Sequence, residues 1–346
     1  MLGVLHLHPP RCDFQTQRCL EILRKNAGSD LTTISRSIGA GGDYQNLPEA
    51  VFRLRRARDE RSLIAHAWGP AELLAAAAAG FSHIVFSPQS RVQPHWWKWI
   101  DWILGHRDVQ VVCPTRFVQS AFILHGASAD RCHVIPPAVD PGRLNGIDPE
   151  IRARFGLAKT DVVLLACGES FRDASHVRAV WATSILNFLN PNYRLLIWGR
   201  GPMIESVKRF ARAITNDGML VIAESAAGGE IDFERIVPAA DAVLFCAQAA
   251  SPILPLAVCM SAGLPVVACE SGETREFLTD GANALVEPSV NPRCLAQRAR
   301  ELQHNPPLRE KLTQSGYAVA ATRFSVPGFL ENWRKVYAQA NRETAR

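Results

Sequence analysis

The sequence has no Cys-x-x-Cys pair. Its nine cysteines are scattered from Cys12 to Cys294. Such spacing excludes a zinc ribbon, and an odd count argues against a secreted disulfide framework. Cys113, Cys246 and Cys269 lie in or beside strand-like apolar runs, where a thiol behaves as a small hydrophobe. No apolar run reaches the roughly 18–20 residues that cross a bilayer. The opening MLGVLHLHPP is too short, and lacks the basic flank, for a signal peptide. Nor is there an internal repeat or low-complexity tract, apart from the alanines at 75–79. Charged residues make up only 21% of the chain against 47% hydrophobic, and the net charge of +5 is mild for a nucleic-acid binder. These absences predict a cytoplasmic protein in a reducing compartment, with no disulfide framework, no zinc site and no nucleic-acid partner.

What is present is alternation. The 346 residues suffice for two domains. Residues 3–7 read as a strand, 16–25 as a helix and 31–35 as a further strand. SLIAHAWG is a strand running into a loop, and AELLAAAAAG is a helix ending on a glycine. HIVFSP and VQVVCP are short strands closed by proline. The stretch 134–157, with four prolines and three glycines, reads as a connection. The alternation then restarts with DVVLLACG, a helix, RLLIWGRGP, a second helix, and the strands DAVLFCA and PVVACES around a helix at 255–262. Alternation of this kind predicts an α/β fold, a parallel sheet covered on both faces, built twice with a cleft between the two domains.

Several segments, taken in order, resemble the GT-B glycosyltransferases, specifically their large retaining family 4. VVCPTRFVQSAFILHGASADRCHVIPPAVDPGRL is similar to the end of that family's first domain. LLIWGRGP resembles its strand followed by G-x-G-P, and VPAADAVLFCA a later strand. GLPVVACESGETREFLTDGANALVEP follows its G-x-P-V-V, glycine loop, glutamate and D-G turn, and FSVPGFLENWRKVYAQ its terminal helix. The likeness is strong over 111–337 and weak over the first hundred residues. It implies two Rossmann-like domains, an acceptor-side one at 1–145 and a nucleotide-sugar-binding one at 146–325. A C-terminal helix, 326–346, would cross back to the first.

Physics points to the same place. Ligands of open α/β sheets bind beyond the carboxyl ends of the strands. Gly168, Gly199, Gly201 and Gly272 each follow a predicted strand, where a missing Cβ lets backbone N–H groups approach a diphosphate. For any one of them a plain turn glycine is the simpler reading. The resemblance adds Arg200, Pro202, Ser251, Leu254 and Pro255 to the donor-binding set.

The resemblance also exposes what is missing. The family's Glu-x7-Glu pair falls on Ala250 and Val258, neither of which can accept a hydroxyl hydrogen bond. Its diphosphate-neutralising arginine falls on Glu169 and its lysine near Ala174. Arg172 is the nearby cation able to compensate, or else a solvated loop residue. His176 could assist, although a helix-surface position is commoner for such a residue. Where the family often has a histidine, Ser87, Pro88 and Gln89 stand instead. His66, at another strand end, either faces the cleft or is a structural hydrogen-bonder. The first loop, HPPRCDFQ, has no Gly-Gly. Glu276 survives, to meet sugar hydroxyls or to cap a helix starting near Thr274.

Two further stretches carry alternatives. In HWWKWIDWIL, Trp96, Trp99, Ile100 and Ile103 fall at helical spacing and predict a buried stripe; the other reading is a helix dipping into a bilayer. The arginine-rich 52–61 is a solvated helix face or a lipid-phosphate contact. The expectation is a metal-independent, retaining glycosyltransferase without cofactor. It would take a nucleoside diphosphate sugar and a glycan or lipid-linked acceptor, peripheral to the inner face of a membrane, with Arg172 and His66 as catalytic candidates. The alternative is a degenerate member that binds a ligand or a protein and catalyses nothing.

Overall fold

A computed structural model describes residues 2–26, 31–60, 63–89, 92–140, 150–168, 175–199, 201–215, 218–247 and 252–342. The chain divides into two compact units. One comprises Met1–Ala138 with Val326–Arg346, the other Val139–Ser325. Each is built on a six-stranded parallel sheet.

In the first unit the strands are β1 (Leu2–His8), β2 (Leu31–Ser37), β3 (Leu63–Ala67), β4 (Ile84–Phe86), β5 (Val109–Cys113) and β6 (Cys132–Val134), ordered β2-β1-β3-β4-β5-β6. Successive side chains of a strand point to opposite faces, and both faces here are buried. Leu5, Leu7, Ala65, Ala67, Phe86 and Val111 pack in one core. Val4, Ile64, Val85 and Val112 pack on the other side, with Phe329, Trp333 and Tyr337 of helix Val326–Arg342. The C-terminal helix thus belongs to the first unit.

The second unit has β7 (Val162–Cys167), β8 (Tyr193–Trp198), β9 (Leu220–Ile222), β10 (Ala242–Phe245), β11 (Val266–Cys269) and β12 (Leu285–Glu287), ordered β12-β11-β10-β7-β8-β9. Strand order reverses between β7 and β10, and in the first unit between β1 and β3. At such a point two neighbouring loops leave in opposite directions and open a crevice. The cysteines are all free, and all but Cys12 and Cys294 are buried.

Helix Pro94–His106 corrects the predicted stripe. Ile100 and Ile103 are buried, and Trp96 and Trp97 pack partly against the core. Trp99, however, is 48% exposed and Trp102 53%. The apolar residues of this helix exceed what one face can cover. The arginine-rich helix Leu47–Glu60 has a structural use for two of its cations. Arg55 donates to the carbonyl of Ala78, and Arg58 to that of Ala79 at 2.9 Å. These are the last carbonyls of helix Pro70–Ala79, the negative end of its dipole.

Candidate functional site

Helices His176–Leu189, Ile204–Ile214 and Leu254–Ser261 follow β7, β8 and β10, so their N-termini lie at the carboxyl end of the second sheet. The helix dipoles make that rim electropositive. The glycines at the strand ends adopt backbone open to glycine alone, with φ of 124° at Gly168, 142° at Gly199 and 151° at Gly201. Nothing lies within 4 Å of where a Cβ on Gly168 would sit.

Not all of these amides await a ligand. Gly168 N donates to Trp198 O at 3.2 Å, and Gly199 N to a carboxylate oxygen of Glu224 at 3.1 Å. The amides of Gly168 and Gly199 are thus engaged within the protein. Glu224, which starts the short helix Ala223–Ala227 after β9, is the residue that the sequence reading missed. The signal was a carboxylate two residues beyond the run LVI.

His176 differs from its predicted surface position. It is buried, and its Nε2 is 2.9 Å from the Gly168 carbonyl. Burial lowers its pKa below the usual histidine range, the carbonyl contact acting the other way. The neutral ring therefore donates from Nε2 and ties the end of β7 to the start of the next helix. The junction bends through Ser175, the sole described non-glycine residue with positive φ, at 54°.

Helix Leu254–Ser261 is buried from Leu254 through Met260, with Val258 only 2% exposed. The side chains of Leu254, Pro255 and Val258 are core, and the start of this helix lies at the rim. Beyond β11, Ser271 and Thr274 lock the loop carrying Gly272. Ser271 N donates to Thr274 Oγ1 at 2.7 Å, and Thr274 N to Ser271 Oγ at 3.1 Å. The helix expected at Thr274 is a single turn, Thr274–Glu276, whose first N–H, that of Thr274, is taken by Ser271 Oγ. Glu276 is half-buried on it, and Pro202 is exposed beside Gly201. Glu169, Arg172, Arg200 and Ser251 lie outside the described residues, as do Ala174 and Ala250.

In the first unit His66 is fully buried, its Nδ1 2.8 Å from the Tyr337 hydroxyl and its ring stacked 4.3 Å from that of Trp68. Burial, with His6 nearby, holds its pKa well below the usual range. It is a neutral structural hydrogen-bonder, which corrects its placement as a catalytic candidate facing the cleft. His6, equally buried, accepts from Trp68 Nε1 at 3.1 Å. Glu72, on the first turn of helix Pro70–Ala79 beyond β3, is a second carboxylate the sequence did not single out. Burial pushes its pKa up to about 7.

The sequence matches a family model described as glycosyl transferases group 1 over residues 147–319, and one described as glycosyltransferase family 4 over 26–143. No curated protein matches. Among solved structures, the chain is similar to Anabaena Alr3699/HepE crystallised with UDP and glucose. The TM-score is 0.82 at 15% identity, covering 98% of this chain and 100% of that one. It is also similar to a glycosyltransferase from Rickettsia africae (TM-score 0.78, 14% identity, 98% of each chain). The sucrose-phosphate synthase of Thermosynechococcus elongatus is a third (TM-score 0.78, 14% identity, 98% of this chain and 99% of that one). At these identities the likeness is one of fold, the GT-B architecture.

Proposed function

The chain belongs to the glycosyl transferases group 1 family, and from that premise we propose that it transfers a sugar, with retention, from a nucleoside diphosphate sugar to a glycan or lipid-linked acceptor. One observation carries the reading. Three helix N-termini and the glycine ends of β7 and β8 converge on the rim of the second sheet, a geometry suited to a diphosphate. HepE, which shares this fold, was crystallised with UDP and with UDP-glucose.

In the proposed reaction the acceptor oxygen attacks the anomeric carbon on the face that the diphosphate leaves. The new carbon–oxygen bond forms as the bond to the phosphate oxygen breaks, and that oxygen takes the acceptor proton. Charge therefore builds on the diphosphate, and stabilising it is the main task of the protein. Arg172 supplies the cation, and Gly201, Gly272 and the helix N-termini supply N–H donors. No metal is needed. A lipid-linked acceptor would bring the protein to the inner face of a membrane as a peripheral guest.

Titration calorimetry of the protein against a panel of nucleoside diphosphates and their sugars tests this. Binding of one base with micromolar to millimolar affinity is expected, and Arg172→Ala should weaken it roughly tenfold or more. No binding to any member would refute the transferase reading in favour of a non-catalytic protein. Unchanged affinity in Arg172→Ala would refute the compensating role.

A further inference from the structure

Helix His176–Leu189 is apolar on the wrong side. Ala179, Val180, Ala182 and Leu186 already face the core. On the outside, Phe188 is 90% exposed, Leu189 61% and Trp181 51%. The neighbouring helix Ile204–Ile214 extends the patch, with the Phe210 ring tilted against Trp181 at a centroid distance of 6.2 Å and Ile214 40% exposed. A surface helix ordinarily presents charge outward, yet this one carries no acid and a single Arg, Arg178. Large aromatics offer about 150–250 Å² each, so the exposed area amounts to several hundred Å², beyond scattered surface hydrophobes.

Charge identifies the occupant. Helices Ile204–Ile214 and Pro292–His304 both pack against this one. The three helices carry seven Lys and Arg against Glu205 and Glu301, an excess equal to the net +5 of the whole chain. An apolar ridge bordered by cations suits anionic lipid: aromatics enter the interface while arginines meet phosphate. A second copy of the chain would set the same cations against one another. Among the described residues no helix is long and apolar enough to cross a membrane, so the contact is interfacial.

We propose that this three-helix face of the second unit docks on an anionic phospholipid surface, with Trp181, Phe188 and Leu189 entering it and Arg209 and Arg212 holding phosphates. The proposal deepens the peripheral attachment above and rests on no other part of that reading, since vesicles score it without donor or acceptor.

The test is co-sedimentation of the full chain with phosphatidylcholine vesicles, with and without phosphatidylglycerol. Binding should require phosphatidylglycerol. Arg209→Gln with Arg212→Gln should lower it about 25-fold, at about fivefold per cation. Phe188→Ser with Leu189→Ser should lower it at least about tenfold. Unchanged thermal melts would verify that both pairs fold. The proposal is overturned if the wild type binds no vesicle, or if both variant pairs bind as it does. It is equally overturned if only Trp99→Ser with Trp102→Ser abolishes binding, or if Phe188→Ser instead dissolves a dimer in lipid-free solution.

Discussion

Glu72→Gln should stabilise the protein at alkaline pH and leave it nearly unchanged at acid pH. Glu72 is 3% exposed, and burial raises its pKa from 4.5 to about 7, its own backbone N–H pulling weakly the other way. A carboxyl with a raised folded pKa keeps a proton that the unfolded chain has already lost. Its stabilising share is complete below about 4.5 and is lost as pH climbs through about 7. At about 1.36 kcal/mol per pH unit, ionisation of Glu72 costs roughly 2.5 kcal/mol between about pH 5 and about pH 8. Gln keeps the shape without the charge. His6, whose pKa burial lowers to about 3 with help from Arg24 and His8, titrates with the opposite sign: its stability is full above 6.5 and fades as pH falls towards 3. It does so in both proteins and cancels in the difference, as do His66 and Asp13. Urea unfolding at each pH should show the variant gaining roughly 2.5 kcal/mol on the wild type between the two, or about 5–10 °C in Tm. A difference that stays constant with pH would refute the reasoning.

Tyr337→Phe should cost about 1–3 kcal/mol, because it leaves neither nitrogen of the buried His66 ring with a partner among the described residues. The urea midpoint should drop at unchanged m; an unmoved midpoint would mean that the hydroxyl contributes nothing. Ser175→Gly should raise stability by about 1 kcal/mol, since glycine meets φ 54° without the penalty of a Cβ. A lower melting temperature would show instead that the Arg178 bond to Ser175 Oγ, 2.9 Å long, outweighs the backbone strain.

Period and punctuation made most of the fold legible. Strand-like runs such as LLIWG and VVACES, each followed by a helical pattern, are the parallel strands β8 and β11. Gly80, with φ of 81°, ends its helix as a glycine stop should. What sequence spacing could not reveal was which neighbour covers which face. Trp99 shares the period of Ile100 and Ile103, yet it is left 48% exposed. His176 opens a helix, which suggests solvent, yet the end of β7 encloses it. Arg55 and Arg58 look like a solvated charge run until helix Pro70–Ala79 brings its carbonyls to them. Glu224 meets Gly199 across a gap of 25 residues, and no local pattern encodes that.

The missing acidic pair has a packing counterpart. At Val258 a glutamate would stand on a helix buried from Leu254 through Met260, and an unpaired charge so placed costs several kcal/mol. Valine instead fills that position with apolar contact. With Gly168 and Gly199 N–H already engaged by Trp198 and Glu224, the proposed recognition of a diphosphate would fall to a smaller set: the amides of Gly201 and Gly272, the three helix N-termini, and the cations of the loops after β7 and β8. Those loops carry Arg172 and Arg200. A site with these two cations and no acidic pair should respond to loss of either side chain. Comparing Arg172→Ala with Arg200→Ala therefore measures how the electrostatics are shared between them.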